Sequence, residues 1–140
     1  MINRLSTDEA WALLRAGRLA RLGCLADGDP YVVPVNYSAD GARVLVHSLP
    51  GRKIAAMRAH PRVCLQVDDI RDQYSWRSVI AYGTYEELRG GTERARALNH
   101  LLAAFPQLTP VESAIACDAA APVPVVFRIR VDEITGLREG

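Results

Sequence analysis

From Val125 to Asp132, near the C-terminus, Val125, Phe127, Ile129 and Val131 alternate with Val126, Arg128, Arg130 and Asp132. A period of two held this long suits a strand with one buried face, and a helix cannot satisfy it. The same period recurs in RLARLGCLA at 18–26, YVVPVNY at 31–37, ARVLVHS at 42–48, RVCLQVDDI at 62–70 and WRSVIAYGTYEEL at 76–88. Asp27-Gly28 and Asp40-Gly41 punctuate the first three of these segments as tight turns, which predicts an antiparallel meander. Pro34 cannot donate to a ladder, so its strand belongs at an edge, or its ladder is interrupted where the backbone of Val33 to Asn36 faces a ligand. Gly83 marks a bulge or bend in the longest strand.

Helical spacing appears in three places. Ser6 and Glu9 form a capping box ahead of Ala10, Leu13 and Leu14, and Gly17 is expected as a left-handed stop. A short helix follows Gly51 and ends at His60-Pro61. Thr92 is expected to cap a third, with Ala95, Leu98, Leu101, Leu102 and Phe105 on its buried face. Residues 106–122 contain three prolines and read as an irregular connection with one helical turn over 111–117. Six strands joined mostly by short connections define a mainly β fold, a six-stranded antiparallel barrel with flanking helices, and 140 residues are one domain's length.

The charge balance narrows function. A formal net charge of +1 gives no broad basic face for nucleic acid. No apolar run reaches a membrane span and the N-terminus lacks a signal-peptide core, so a cytoplasmic protein is expected. Cys24, Cys64 and Cys117 are widely spaced, which fits buried small hydrophobes and neither a disulfide framework nor a zinc knuckle. His-Glu-x-x-His, Gly-x-Ser-x-Gly and Gly-x-Gly-x-x-Gly are all missing, so no metal site, serine hydrolase or Rossmann nucleotide site is expected.

What remains is the turn Gly51-Arg52-Lys53 at the start of the second helix. Two cations beside free helical amides suit a phosphate, although the pattern alone reads first as a solvated turn. His47 lies on the strand face opposite Val44 and Val46, and as an isolated residue reads as structural. Trp76-Arg77-Ser78 opens the fifth strand with an aromatic face, a guanidinium and a hydroxyl.

The order of YVVPVNY, VLVHSLPGRKIAAMRAHPRVCLQVDD, SWRSVIAYGTYEEL and a strand ending in ITG resembles the pyridoxamine 5′-phosphate oxidase-like flavoproteins. Within that group it is most similar to the nitroimidazole-resistance-type proteins. The resemblance implies a split β-barrel that binds FMN at a homodimer interface and passes electrons to a small electrophile such as a nitroaromatic. It implies that Gly51, Arg52 and Lys53 hold the phosphate, with Ser48 nearby, and it leaves open which cation is closer. Val33, Pro34, Val35 and Asn36 then lie against the isoalloxazine. His47 sits near the flavin as candidate proton donor, and Trp76, Arg77, Ser78 and Val79 complete the pocket from the second subunit. The extra C-terminal substrate segment of the vitamin B6 oxidases has no counterpart in this chain. A flavin carrier without turnover, or a haem- or deazaflavin-binding protein, are the other functions the same fold accommodates.

Overall fold

A computed structural model describes residues 1–105 and 123–140 of the chain. In chain order the elements are β1 (Ile2–Arg4), α1 (Thr7–Ala16), β2 (Leu19–Ala26), β3 (Asp29–Asn36), β4 (Ser38–Asp40), β5 (Arg43–Ser48), α2 (Arg52–Ala59), β6 (Arg62–Asp72), β7 (Ser75–Leu88), α3 (Gly91–Ala104) and β8 (Val125–Glu139). Among the described residues eight strands form one antiparallel sheet in the order β3-β2-β6-β7-β8-β5-β4, with β1 added along β8. The mainly β, split-barrel expectation therefore holds, with two three-residue strands, β1 and β4, beyond the six expected.

Asp27 and Gly28 both take positive φ, 54° and 81°, as a two-residue hairpin of the primed type requires. The turn fixes Ala26 opposite Asp29 and runs without a register shift to Leu19 opposite Asn36. The meander ends there. β5 pairs with β4 and β8, not with β3, so the third predicted strand crosses to the far side of the sheet. Strand alternation specifies which face a residue buries and is silent about which strand lies beside it.

β3 is an edge, and Pro34 sits within its unbroken ladder. The Tyr37 amide donates to the Arg18 carbonyl at 2.9 Å, so by alternation the amides of Val35 and Val33 also face β2. Pro34, Val32 and Asn36 consequently turn their backbone nitrogens toward the open edge, where a proline sacrifices no ladder bond. The edge reading is correct for Pro34, and the ladder on its β2 side is intact.

Inside the barrel, Leu22, Leu65, Val79, Phe127 and Ile129 meet Ile54 and Met57 of α2 and Ala10 and Leu14 of α1. α1 carries the expected capping box, with the Ser6 hydroxyl accepting from the Glu9 amide and Glu9 accepting from the Ser6 amide, both at 3.1 Å. Gly17 is extended (φ −78°, ψ 165°) and supplies no left-handed stop. It leaves room for Tyr37, whose hydroxyl a Cβ at residue 17 would strike. Tyr37 is fully buried, donates to the Leu14 carbonyl at 2.6 Å, and has its phenol pushed up to about 12 by burial.

α3 covers the opposite side of β5. Leu45, Leu88, Val126, Ala97 and Leu101 form a second cluster there, flanked by Leu98 and Phe105. Ala95 and Leu102, expected on this face, are exposed, and Ala97 replaces them. Thr92 is inside the first turn, because the helix begins at Gly91 and its N-cap is Gly90, with no side-chain cap. Gly83 does mark an irregularity. The register shifts between Tyr82 and Gly83, and a Cβ at residue 83 would collide with the Arg130 carbonyl and Ile129. Cys24 is buried as expected and Cys64 only partly so. Cys117 and the expected turn at 111–117 lie outside the described residues. Among the described residues no helix is long and apolar enough to cross a membrane.

Candidate functional site

At the start of α2, the chain leaves β5 at Ser48 and enters the helix through Gly51, which offers no side chain to cap the orphan amides. The first intrahelical bond runs from the Ala55 amide to the Gly51 carbonyl at 3.1 Å. The amides of Arg52, Lys53 and Ile54 therefore precede the helical ladder, and the first turn holds no acidic residue to balance the positive end of the dipole. Ile54 and Met57, both fully buried, fix the helix against the barrel. Arg58 in the last turn grips Glu87 of β7 through Nε and Nη2 at 2.8 and 3.1 Å, tying the other end down.

The two cations differ. Arg52 is exposed, and its guanidinium carbon lies 4.9 Å from the centroid of the Tyr31 ring on β3. Lys53 is half-buried, and burial lowers its ammonium pKa. Among the described residues no carboxylate lies within ion-pair distance of either. An unneutralised lysine partly withdrawn from water beside uncapped amides is electrostatically unfavourable unless an anion joins it.

Ser48 is buried on the inner face of β5 and donates to the Leu49 carbonyl at 3.0 Å. Its oxygen keeps acceptor capacity in the same turn. His47 projects from the other face of β5, opposite Val126, toward the α3 side, so successive residues of one strand serve opposite faces. On β3, Tyr31, Val33 and Val35 share the inward row, and Pro34 and Asn36 face outward. The structure thus joins the β3 segment to the cationic turn through Tyr31 and Arg52.

Trp76, Arg77, Ser78 and Val79 form a separate group. Trp76 donates from Nε1 to Glu139 at 2.9 Å, and Arg77 from Nη2 to Asp69 at 2.9 Å. Ser78 Oγ accepts from Gln66 Nε2 at 3.0 Å, and Gln66 in turn links Asp68 to Arg21. The Val79 side chain is fully buried in the barrel, and its backbone lies paired between β6 and β8. Among the described residues no hydrogen bond or ion pair within the chain connects this group with Arg52 or Lys53.

Around the Arg21–Asp68 pair, 2.8 Å apart, the outer sheet face carries Leu19, Leu25, Val32, Ile70 and Leu137, each between 44% and 64% exposed. Sequence reading missed Arg21, Gln66 and Asp68 because their convergence depends on the β2–β6 register, Arg21 opposite Gln66. It also missed Tyr31, whose signal was its place two residues before Val33 on the same row.

The described residues thus form a split antiparallel barrel whose rim carries a cationic turn with no carboxylate partner among them, and comparison with known proteins identifies its family. The chain belongs to the pyridoxamine 5′-phosphate oxidase family, whose pattern matches residues 6–138. It is 36% identical over 142 residues to an uncharacterised protein of Rhizobium meliloti (strain 1021), covering 94% of this chain and 91% of that one. Among solved structures it resembles an FAD-binding protein of Mesorhizobium loti at 32% identity and a TM-score of 0.82, over 100% of this chain and 99% of the other. A putative 5-nitroimidazole antibiotic resistance protein of Bacteroides thetaiotaomicron shares the fold at 20% identity and a TM-score of 0.75, over 99% and 87% of the two chains.

Proposed function

We propose that this protein binds FMN and acts as a flavin-dependent oxidoreductase toward a small electrophile, working as a homodimer. The observation that carries the reading is the pair Arg52 and Lys53, without carboxylate partners among the described residues, at an uncapped helix N-terminus. A near-dianionic phosphate meets both cations and the amides of residues 52–54, each charge-assisted bond being worth roughly 1.5–3 kcal/mol. Lys53, nearer the core face of α2, is the closer ligand, and Arg52 reaches the phosphate from solvent. The open edge of β3 presents the Val32 and Asn36 amides and the Pro34 carbonyl, which match the polar rim of an isoalloxazine.

When bound, the flavin supplies the electron transfer; the chain's own residues bind, orient and exclude water. Ser48 lies at the phosphate turn. His47 is the proposed proton donor at the ring. The group from Trp76 to Val79 completes the pocket of the second subunit, which accounts for its separation from Arg52 within one chain. The outer face supports that dimer, because five large apolar side chains around an Arg–Asp pair form a patch of the kind a twofold interface covers.

Purified protein should show flavin absorbance or take up FMN with quenching of its fluorescence. Arg52→Ala with Lys53→Ala should weaken FMN by at least about 100-fold, from two lost charge-assisted contacts, and leave riboflavin binding unchanged. Undiminished FMN affinity in that double variant would sink the phosphate assignment. Anaerobic reduction followed by a nitroimidazole or quinone separates the enzyme from a flavin carrier, since a carrier reoxidises no faster than free FMN. FAD is the second form of the cofactor to titrate, on the strength of the Mesorhizobium relative described as FAD-binding.

A further inference from the structure

Arg52 occupies the first position of α2, from which a long side chain would ordinarily extend into solvent with its full rotamer freedom. Instead its guanidinium leans across to the β2–β3 hairpin and lies 4.9 Å from the centre of the Tyr31 ring. Tyr31 is a fixed platform: it is paired with Cys24 across the hairpin, half-buried, and packed against the barrel core. The contact is a cation over a π face, and no carboxylate shares the guanidinium among the described residues.

From this we infer that Tyr31 is a positioning residue that pre-organises Arg52 for a phosphate ester, an inference resting on the FMN reading above. A carboxylate that steadied Arg52 would occupy its N–H donors and cancel its charge. An aromatic face does neither. The ring face draws on the cation's charge without a carboxylate's acceptor oxygens, so the N–H donors keep their capacity for the ligand. Ordering before binding also reduces the rotamer entropy lost when phosphate arrives.

A double-mutant cycle on FMN dissociation constants tests this, with Tyr31→Leu, Arg52→Gln and their combination, and riboflavin as the phosphate-free control. Tyr31→Leu should weaken FMN about two- to five-fold, have no effect in the Arg52→Gln background, and leave riboflavin unchanged. Tyr31→Phe should keep parental affinity, because the ring and not the hydroxyl is used. Equal losses in both backgrounds, or a matching loss for riboflavin, would overturn the inference while leaving the FMN reading intact. A parent protein that binds no FMN overturns both. One further readout needs no variant to fold: in ligand-free parent the Arg52 side-chain methylene protons should show ring-current shifts to high field, and random-coil positions would refute the stacking.

Discussion

Glu87 is the most heavily coordinated carboxylate among the described residues. Besides Arg58 it accepts a hydrogen bond from the Tyr85 hydroxyl at 2.6 Å, and Arg89 approaches to 3.2 Å. Its pKa falls from 4.5 to about 2, chiefly through the Arg58 hydrogen bonds. A depressed carboxylate binds fewer protons when folded than when unfolded. The stability it contributes is complete above the unfolded value of 4.5 and lost as pH falls toward about 2. Glu87→Gln should therefore cost on the order of 2 kcal/mol near neutrality and flatten the decline of stability in acid. Urea unfolding across that pH range measures both effects, and parallel pH curves for parent and variant would contradict them. Lys53 gives a slope of the same sign at alkaline pH but from a penalty, since burial lowers its pKa and makes its protonated form a burden on the fold that eases as pH rises through the folded value.

At the scale of elements, alternation and turn chemistry carried the reading wherever they were local. Asp27-Gly28 specified its hairpin because both residues tolerate positive φ, and the Ser6 capping box specified the start of α1. β1 and β4 escaped because three residues are too few to establish a period. The buried face of α3 was right at Leu98, Leu101 and Phe105 and wrong at Ala95 and Leu102, because a helix lying on a sheet's outer side buries only a narrow stripe and the spacing admits neighbouring ones. Gly17 and Gly83 were legible as special positions, but the reason was tertiary in each: Tyr37 for one, the Arg130 carbonyl for the other. Gly83→Ala should accordingly destabilise by about 1–3 kcal/mol or more through overpacking. A thermal midpoint equal to the parent's would show that β8 yields at its bulge instead.

For the whole molecule, the candidate site was readable as a list of residues but not as an arrangement. The order of segments pointed to Gly51, Arg52 and Lys53, whereas the separation of Trp76 to Val79 from that turn, and the apolar face around Arg21, needed the sheet order. If that face joins two copies, Val32→Lys places two like charges across the twofold axis, and sedimentation should find monomer with weakened FMN affinity. An unchanged dimer would move the interface elsewhere. One strand governs assembly as well. β8 pairs along its length with β7, and its other side is shared between β5 near its start and β1 near its end. Synthesis makes β8 after the other seven described strands. Until those residues emerge, β1, β5 and β7 all keep an unsatisfied edge, so the nascent chain cannot close and its folding waits on contacts of the greatest sequence separation.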